Sequence, residues 1–334
     1  SEFFENLLIT KGAFAYMLII PGINNAVIKY FPIEDGGIPK YENILFTPKS
    51  MVKIPSILLS GEMGDSLLMK DGQTIKTLQS DFFKSRGNKF FYSKSTVSLN
   101  FSPYTEEVKA PNVIGVINGT DKNADCVIVS AHHDHEGKQG KKIYYGAVDN
   151  ASGTTAIIEM AALMNKCIKA GYRPKRTIIF ASFTGEERGL LGSMYYSEHP
   201  LYPISKTYAV LNIDMMGRVD TFYSGKRADS NYAYILVKDS LNRGLRKAVY
   251  DANESGAVHL KLDTYYEQPE HAQRRITGSD QYPFYLKGVP FIRIDCGFAK
   301  DYHKPTDTPD KINYDLLKKQ TQLAFLTLWN ITNN

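Results

Sequence analysis

Apolar runs of strand length alternate with helix-length amphipathic segments from residue 112 to the C-terminus. The runs are continuously apolar rather than alternating, which predicts strands that are buried on both faces. The predicted strands occupy residues 112–119, 125–131, 176–183, 207–213 and 289–297. The predicted helices occupy residues 152–171, 187–199, 234–251 and 314–330. This order is typical of an α/β fold, with a largely parallel sheet covered by helices on both faces.

The first hundred residues follow a different pattern. Turn sequences such as DGG and KDGQ separate short apolar runs, which lie at residues 14–20, 25–31, 56–60, 66–69 and 96–102. Short apolar runs between turn signals favour a small β-rich domain. Pro111 then follows a polar stretch that has the character of a linker. We therefore predict two domains, at residues 1–108 and 109–334.

Composition excludes several classes of protein. The chain has 334 residues, of which 43% are hydrophobic and 22% charged, and this is ordinary globular content. The net charge of +5 is scattered without a Lys/Arg-rich run, so we expect no nucleic-acid partner. An apolar stretch long enough for a membrane-spanning helix is absent from the sequence. Of the three cysteines, Cys126 and Cys296 lie in strand-like contexts, where we expect buried free thiols rather than disulfides.

Acidic and histidine residues follow the strands of the second predicted domain. His132 and Asp134 come directly after the strand at residues 125–131. Residues i and i+2 of an extended segment point the same way, so these two can share a face while His133 points away. The other residues in such positions are Glu186, Glu187, Asp214, Tyr302 and His303, with Asp149 in the loop before the first helix of this domain. Sites in α/β sheets collect at the carboxyl ends of the strands.

Each of these residues alone has an ordinary structural explanation. A single aspartate after a strand is usually a helix cap, and paired glutamates usually begin a solvated helix. Together they would bury many like charges in one place, which is very unfavourable without cations. Imidazole and carboxylate are zinc ligands, and Asp149 in the loop could bridge two ions. A metal-activated water then needs a carboxylate to accept its proton, and the adjacent Glu186 and Glu187 can divide the two roles.

Six motifs resemble, in order, those of the zinc-dependent aminopeptidase family. They are SAHHDHEG, GAVDNASG, FTGEERGLLGS, NIDMMGR, GSDQYPF and DYHKPTDTPDKI. That family also contains glutamate carboxypeptidase, glutaminyl cyclase and the transferrin receptor ectodomain. The resemblance runs from about residue 112 to the C-terminus. It implies the mixed, largely parallel sheet of the zinc exopeptidases (phosphorylase/hydrolase-like fold) and two Zn²⁺ ions per chain.

The resemblance also implies a role for each residue. His132 and Asp214 would bind one zinc ion, Glu187 and His303 the other, and Asp149 would bridge them. The remaining catalytic roles fall to Glu186 as general base, Asp134 as the partner that orients His132, and Tyr302 as oxyanion stabiliser. A core aromatic is the alternative for Tyr302, one of 22 tyrosines. The resemblance further implies a cis peptide bond after Asp149.

One motif departs from the family pattern. Relatives often have histidine where this chain has Gln281. We therefore predict that Asp280 and Gln281 border the substrate pocket rather than bind metal. Arg274 and Arg275 lie just upstream, in a loop that contacts substrate in relatives, so Arg275 is a further candidate. Solvated surface charge is the alternative for both arginines.

The first domain has its own family counterpart. Residues 11–20 and 53–68 resemble the protease-associated domain that is often inserted into these peptidases. Peptidase segments precede the insertion in such proteins, so we expect the sheet to be intact but less covered on one face. The resemblance implies a role for this domain in recognising or restricting substrate. It also implies an exported, periplasmic or secreted, protein.

Three functions are compatible with this resemblance. A dizinc aminopeptidase would use all five ligands and a peptide substrate with a free α-amine. A glutaminyl-peptide cyclotransferase on the same fold would use one zinc ion, and a catalytically inactive binding protein would lack ligands or the base. Because all five ligands and Glu186 are present, the sequence favours the aminopeptidase. The sequence does not indicate an oligomeric state.

Overall fold

The computed structural model describes residues 16–19, 27–29, 56–59, 61–85, 92–97, 109–221, 230–255 and 258–333. The chain forms two compact units, Ser1–Val108 and Lys109–Asn334. In the first unit, strands β1 (Tyr16–Ile19), β2 (Val27–Lys29) and β3 (Ser56–Leu59) form one sheet. Strand β3 lies in the middle, parallel to β1 and antiparallel to β2. These strands confirm three of the predicted apolar runs.

Two helices follow this sheet in the first unit. They are α1 (Gly61–Leu68) and α2 (Ile75–Lys84), with a 3₁₀ turn at Met69–Asp71 between them. The strand-like interpretation of residues 66–69 is therefore wrong. The buried positions in α1 are Gly64 and Leu68, which are four residues apart and share one helical face. The predicted run at residues 96–102 lies mostly outside the described residues. Identity with a protease-associated domain stays a prediction.

The second unit is built on a seven-stranded sheet and a small hairpin. Its strands are β4 (Val113–Ile117), β5 (Cys126–His132), β6 (Gly137–Gln139), β7 (Lys142–Tyr144), β8 (Ile178–Phe183), β9 (Thr207–Ile213), β10 (Tyr232–Lys238), β11 (Lys261–Asp263) and β12 (Phe291–Asp295). The order across the sheet is β11-β10-β12-β9-β5-β8-β4, and β6 pairs with β7. The inner strands β12, β9, β5 and β8 are parallel to one another. Strand β4 is antiparallel to its neighbour β8, and β10 is antiparallel to its neighbour β12. The sheet is therefore mixed and largely parallel.

Helices cover both faces of this sheet. They are α3 (Gly153–Lys169), α4 (Leu191–Glu198), α5 (Leu245–Glu254), α6 (Pro269–Thr277), α7 (Tyr282–Leu286) and α8 (Tyr314–Asn333), with 3₁₀ turns at Ile204–Lys206, Tyr265–Glu267 and Pro309–Lys311. Val127 and Val129 of β5 pack in one apolar core with α3, α5 and α8. Ile128, between them, packs in the opposite core with α4, α6 and α7. The predicted fold class is confirmed.

The prediction of a single helix at residues 234–251 is wrong. Strand β10 occupies the first part of this segment and α5 the second. Residues 232–237 are all buried, and a short run without a polar face fits a central strand as well as a helix. Asn242 and Gly244, with φ of 51° and 72°, then turn the chain before α5 begins. The helix predicted at residues 187–199 begins only at Leu191, because residues 186–190 form a turn.

One face of the sheet carries an apolar groove of about 750 Å³ between α3 and α8, lined by Met160, Leu163 and Phe325 among others.

None of the helices in the described part of the chain is both long and apolar enough to cross a bilayer. Cys126 and Cys296 are buried free thiols, as predicted.

We expect Gly192→Ala to lower the free energy of unfolding by roughly 1–3 kcal/mol through overpacking. A Cβ atom at Gly192 would lie 2.3 Å from Asn112 Oδ1 and 2.4 Å from the Thr184 carbonyl oxygen. The matched control is Gly115→Ala in β4, where a Cβ would meet nothing within 4 Å. Denaturant unfolding followed by circular dichroism makes the comparison. Equal unfolding midpoints for the two variants would contradict this prediction.

Candidate metal centre

The parallel strands bring the predicted ligands to one edge of the sheet. His132 is the last residue of β5 and Asp214 directly follows β9. The loop after β8 carries Glu186 and Glu187. The His132 side chain is 1% exposed, whereas His133 is exposed and its Nδ1 lies 2.9 Å from Ser182 Oγ. The predicted alternation along this strand is therefore confirmed.

The first group of donor atoms surrounds His132. Its Nε2 lies 3.3 Å from Asp149 Oδ1 and 3.5 Å from Asp214 Oδ1. Both His132 Nε2 and Asp214 Oδ1 are buried and have no hydrogen-bond partner within the described residues. Ligands at zinc bond lengths of about 2.0–2.1 Å in a tetrahedron lie about 3.3 Å apart. The unpartnered atoms and their spacing therefore fit one zinc ion.

The second group surrounds His303, which lies in the loop after β12. Its Nε2 lies 3.0 Å from Asp149 Oδ2 and 3.2 Å from Glu187 Oε2. Asp149 thus presents one carboxylate oxygen to each group. It stands in an irregular turn, Ala147–Ser152, directly before α3. The peptide bond between Asp149 and Asn150 is cis, as the resemblance implies.

Neighbouring groups of opposite charge shift the pKa values of these donors. Burial opposes a charge on His132, but Asp149 and Asp214 outweigh it and raise its pKa well above the usual range. Hydrogen bonds to Asp149 and Glu187 raise the pKa of His303 to about 10. Burial acts to raise the pKa of Glu187, yet the neighbouring imidazoles bring it down to about 2. Ionised carboxylates therefore face imidazolium protons that a metal cation can replace.

Glu186 differs from the carboxylates around it. Its Oε2 lies 4.0 Å from His132 Nε2, and its side chain is 12% exposed. Burial raises its pKa well above the usual range, and the charges of Asp214, Asp280 and Asp149 act in the same direction, against the opposing effect of His132. A carboxylate with a raised pKa can both accept and return a proton near neutral pH.

Asp134 contacts a predicted ligand of each metal position. His132 Nδ1 donates to the Asp134 carbonyl oxygen at 3.1 Å, while the Asp134 carboxylate is 3.7 Å away. That carboxylate accepts the backbone N–H groups of Glu186 at 3.0 Å and Glu187 at 3.3 Å. Asp134 therefore orients His132 through its backbone carbonyl group, and its carboxylate fixes the loop that carries Glu186 and Glu187.

Other supporting residues are not apparent from the motifs. Arg293 is fully buried and donates to Asp214 Oδ2 at 3.0 Å and to Asp295 Oδ2 at 2.9 Å. An arginine inside an otherwise apolar strand is the signal that could have identified it. Asp307 accepts the backbone N–H groups of Val148 at 3.1 Å and Asp149 at 3.2 Å. That contact spans 158 residues of sequence and leaves no local signal.

The first histidine motif contributes two more residues to the site. His135 Nδ1 donates to Glu187 Oε1 at 2.7 Å. Glu136 Oε1 lies 3.3 Å from His303 Nδ1. The sequence gives neither residue a role, because both lie beyond the strand end where alternation applies.

The substrate-pocket predictions for Asp280 and Gln281 are corrected. Both side chains are fully buried. The Gln281 amide donates to the carbonyl oxygens of Arg275 and Ile276 and accepts from Asn212, so it joins α6 to β9. Asp280 lies near His132 and Asp214, and burial raises its pKa to about 7.

The arginine prediction is also revised. Arg275 is 3% exposed and donates to Asp295 Oδ1 at 2.8 Å. Its guanidinium carbon lies 4.1 Å and 4.2 Å from the ring centroids of Tyr266 and Phe298. Solvated surface charge does not describe Arg275 either, because the group is held in a buried ion pair. Arg274, which is exposed, is better placed to meet a ligand.

A cavity of about 90 Å³ lies beside the donor atoms, lined by Asp149, Glu186, Asp214, Met215, Arg274, Arg275, Gly278, Arg293, Phe298 and Tyr302. The Tyr302 ring stacks on His303 with 3.9 Å between centroids. Burial and the surrounding carboxylates raise the pKa of Tyr302, so its phenol keeps its proton and can donate a hydrogen bond. This geometry is compatible with the predicted oxyanion role, and Tyr302 also packs against Phe298.

A sequence model of peptidase family M28 matches residues 112–328, and the chain therefore belongs to peptidase family M28. The family that the six motifs indicate is therefore confirmed. The chain is 30% identical over 246 residues to the probable glutamate carboxypeptidase of Zea mays, covering 70% of this chain and 31% of that relative. It therefore spans about a third of that relative's length.

Solved structures show the same fold. The aminopeptidase from Aneurinibacillus sp. strain AM-1 is 19% identical with a TM-score of 0.55, covering 97% of this chain and 65% of that chain. The LapA aminopeptidase of Legionella pneumophila is 22% identical with a TM-score of 0.52, covering 67% of this chain and 54% of that chain. At these identities, the structures support the fold assignment.

We expect zinc binding to release protons. The raised pKa values of His132 and His303 mean that these imidazoles carry protons at neutral pH, and the protons compete with the metal. The apparent zinc affinity should therefore rise as the pH increases from about 6 to about 8. This range lies below the pKa of His303, and the Glu187 carboxylate is already ionised throughout it. Calorimetric titration in buffers of different ionisation enthalpy measures the proton release. A binding heat that does not depend on the buffer would contradict the expectation.

Proposed function

We propose that this chain is a metallo-aminopeptidase that uses two zinc ions bridged by Asp149 to hydrolyse N-terminal residues from peptides. The observation that carries this proposal is the shared carboxylate. Asp149 Oδ1 faces His132 at 3.3 Å and Oδ2 faces His303 at 3.0 Å. Asp214 and Glu187 complete the two groups. Membership of peptidase family M28 supports the same reaction class.

The residues around the cavity divide the catalytic work. Bound zinc would polarise the scissile carbonyl and lower the pKa of a water molecule. Glu186 accepts the proton of the attacking water and returns it to the leaving amine, which requires the raised pKa described above. Tyr302 donates its phenolic hydrogen to the oxyanion of the tetrahedral intermediate. Asp134 holds the loop of Glu186, so that the base keeps its position beside His132.

The charges that line the cavity suit a substrate with a free α-amine. Asp149, Glu186 and Asp214 all face this space. Of these three, Glu186 is not a proposed zinc ligand, and its carboxylate can accept a hydrogen bond from an ammonium group at the substrate N-terminus. We expect export of the protein on the family resemblance, and this stays a prediction.

A carboxypeptidase acting on acidic residues is the second candidate. Arg274 lines the cavity with an exposed side chain, and its guanidinium lies 5.3 Å from the Phe298 ring centroid. A guanidinium at this position could pair with a substrate carboxylate. The relative in Zea mays is named a probable glutamate carboxypeptidase.

We expect Glu186→Gln to lower kcat by about 10²–10⁴-fold, the usual contribution of a general base, while metal content is unchanged. Glutamine keeps the size of the side chain but cannot accept the proton. The matched control is Glu198→Gln, at an exposed glutamate in α4 that pairs with Lys287. Steady-state kinetics and elemental metal analysis are measured on the same samples. Full activity in the Glu186 variant would show that another group is the base.

A substrate panel separates the candidate functions. We expect aminoacyl reporter substrates with a free α-amine to be cleaved and N-blocked peptides with C-terminal glutamate to be resistant. The reverse preference would favour the carboxypeptidase, and it should then be lost in Arg274→Ala but not in Arg173→Ala, an exposed arginine beyond α3. Cyclisation of N-terminal glutamine without hydrolysis would favour the cyclotransferase.

A further inference from the structure

His135 and Glu136 lie behind the ligands of the second predicted metal position, which consists of Glu187, His303 and Asp149. His135 Nδ1 donates to Glu187 Oε1 at 2.7 Å. The other oxygen of that carboxylate, Oε2, is the one that faces His303 Nε2. His135 therefore binds Glu187 Oε1 and leaves Oε2, the oxygen nearer His303 Nε2, available to a cation.

Glu136 has the same relation to His303. Its Oε1 lies 3.3 Å from His303 Nδ1, while His303 Nε2 faces Asp149 and Glu187. A carboxylate beside the outer nitrogen of a metal-binding histidine fixes its tautomer and ring orientation. His303 needs such support, because its backbone is in the left-handed region with φ of 52° and its side chain is 31% exposed.

The first metal position has separate support. His132 Nδ1 donates to the Asp134 carbonyl oxygen and Arg293 holds Asp214 Oδ2. The side chains of His132 and Asp214 are only 1% and 5% exposed. The two positions thus share Asp149 and the support of Asp134, but the side-chain contacts of His135 and Glu136 go to ligands of the second position. A change at residue 135 or 136 should therefore act on one position only.

The absence of a side chain at Gly146 leaves space for the His135 imidazole. A Cβ atom at Gly146 would lie 2.5 Å from His135 Cγ, and Gly146 has a φ of 63°. A side chain there would displace the imidazole from Glu187. The glycine before the bridging turn therefore allows His135 to pack behind the second position.

We propose that His135 and Glu136 are positioning residues that hold Glu187 and His303 for the second metal ion and set its affinity selectively. This inference rests on the proposed two-metal site. Neither residue is among those that line the cavity beside the donor atoms. Both act through the ligand that each contacts.

The test measures the two zinc dissociation constants of the whole chain by chelator competition, in the wild type and in variants. We expect Glu136→Gln and His135→Ala each to raise one of the two dissociation constants, the same one in both variants, by about 10–100-fold, as for other residues that hold metal ligands in place. The other constant should not change. His135→Asn should restore most of the affinity, because its amide can donate near the position of Nδ1. The matched control is His133→Ala, at the exposed neighbour that faces away.

A double-mutant cycle assigns the effect to a position. In a His303→Ala background, Glu136→Gln should cause no further loss of zinc, because its partner has been removed. An equal weakening of both ions would indicate a general structural role and overturn the inference, as would unchanged constants. Thermal unfolding of each variant identifies misfolding, and the half-exposed Glu136 provides the variant least affected by it. A wild type that binds one ion overturns the paired site as well, whereas two ions with unresponsive variants overturn this inference alone.

Discussion

The carboxyl ends of parallel strands concentrate carboxylates and imidazoles at one edge of the sheet. Strands β5, β8 and β9 run in the same direction, so their ends deliver His132, the glutamate loop and Asp214 to one place. Asp149 comes between the two histidines from the turn before α3. So many buried like charges are tolerated only when cations or protons balance them. The pKa shifts of this site follow from that requirement.

A second layer of residues keeps the ligands in place. Arg293 holds Asp214, and Asp307 holds the backbone of the bridging turn. Asn150 accepts the Met215 backbone N–H at 3.1 Å and donates to the Ile213 carbonyl oxygen at 3.0 Å, which joins that turn to the end of β9. Four of the five ligands have one donor atom turned inward and another held from behind, which orients them for a cation; these are His132, Asp214, Glu187 and His303. The proposed roles of His135 and Glu136 extend this principle to the second position.

Sequence patterns predicted those features that have a local cause. Strand alternation distinguished His132 from His133, and the strand ends indicated where the ligands meet. The same reasoning failed at β10, where a run without a polar face has no distinguishing period. The family motif suggested a pocket position for Gln281, but its amide donates to backbone carbonyl oxygens of α6 instead. Contacts such as Asp307 with Asp149, or Glu136 with His303, join residues far apart in sequence. Only the folded chain brings those pairs together.

If Asp149 bridges two metal ions, crystals of the zinc-loaded chain should show two anomalous peaks at the zinc absorption edge. We expect these peaks about 3.5–4 Å apart, the usual spacing in paired metal sites. One should lie among His132, Asp149 and Asp214, and the other among Asp149, Glu187 and His303. A single peak, or a second peak that does not contact Asp149, would show that Asp149 is not a bridge.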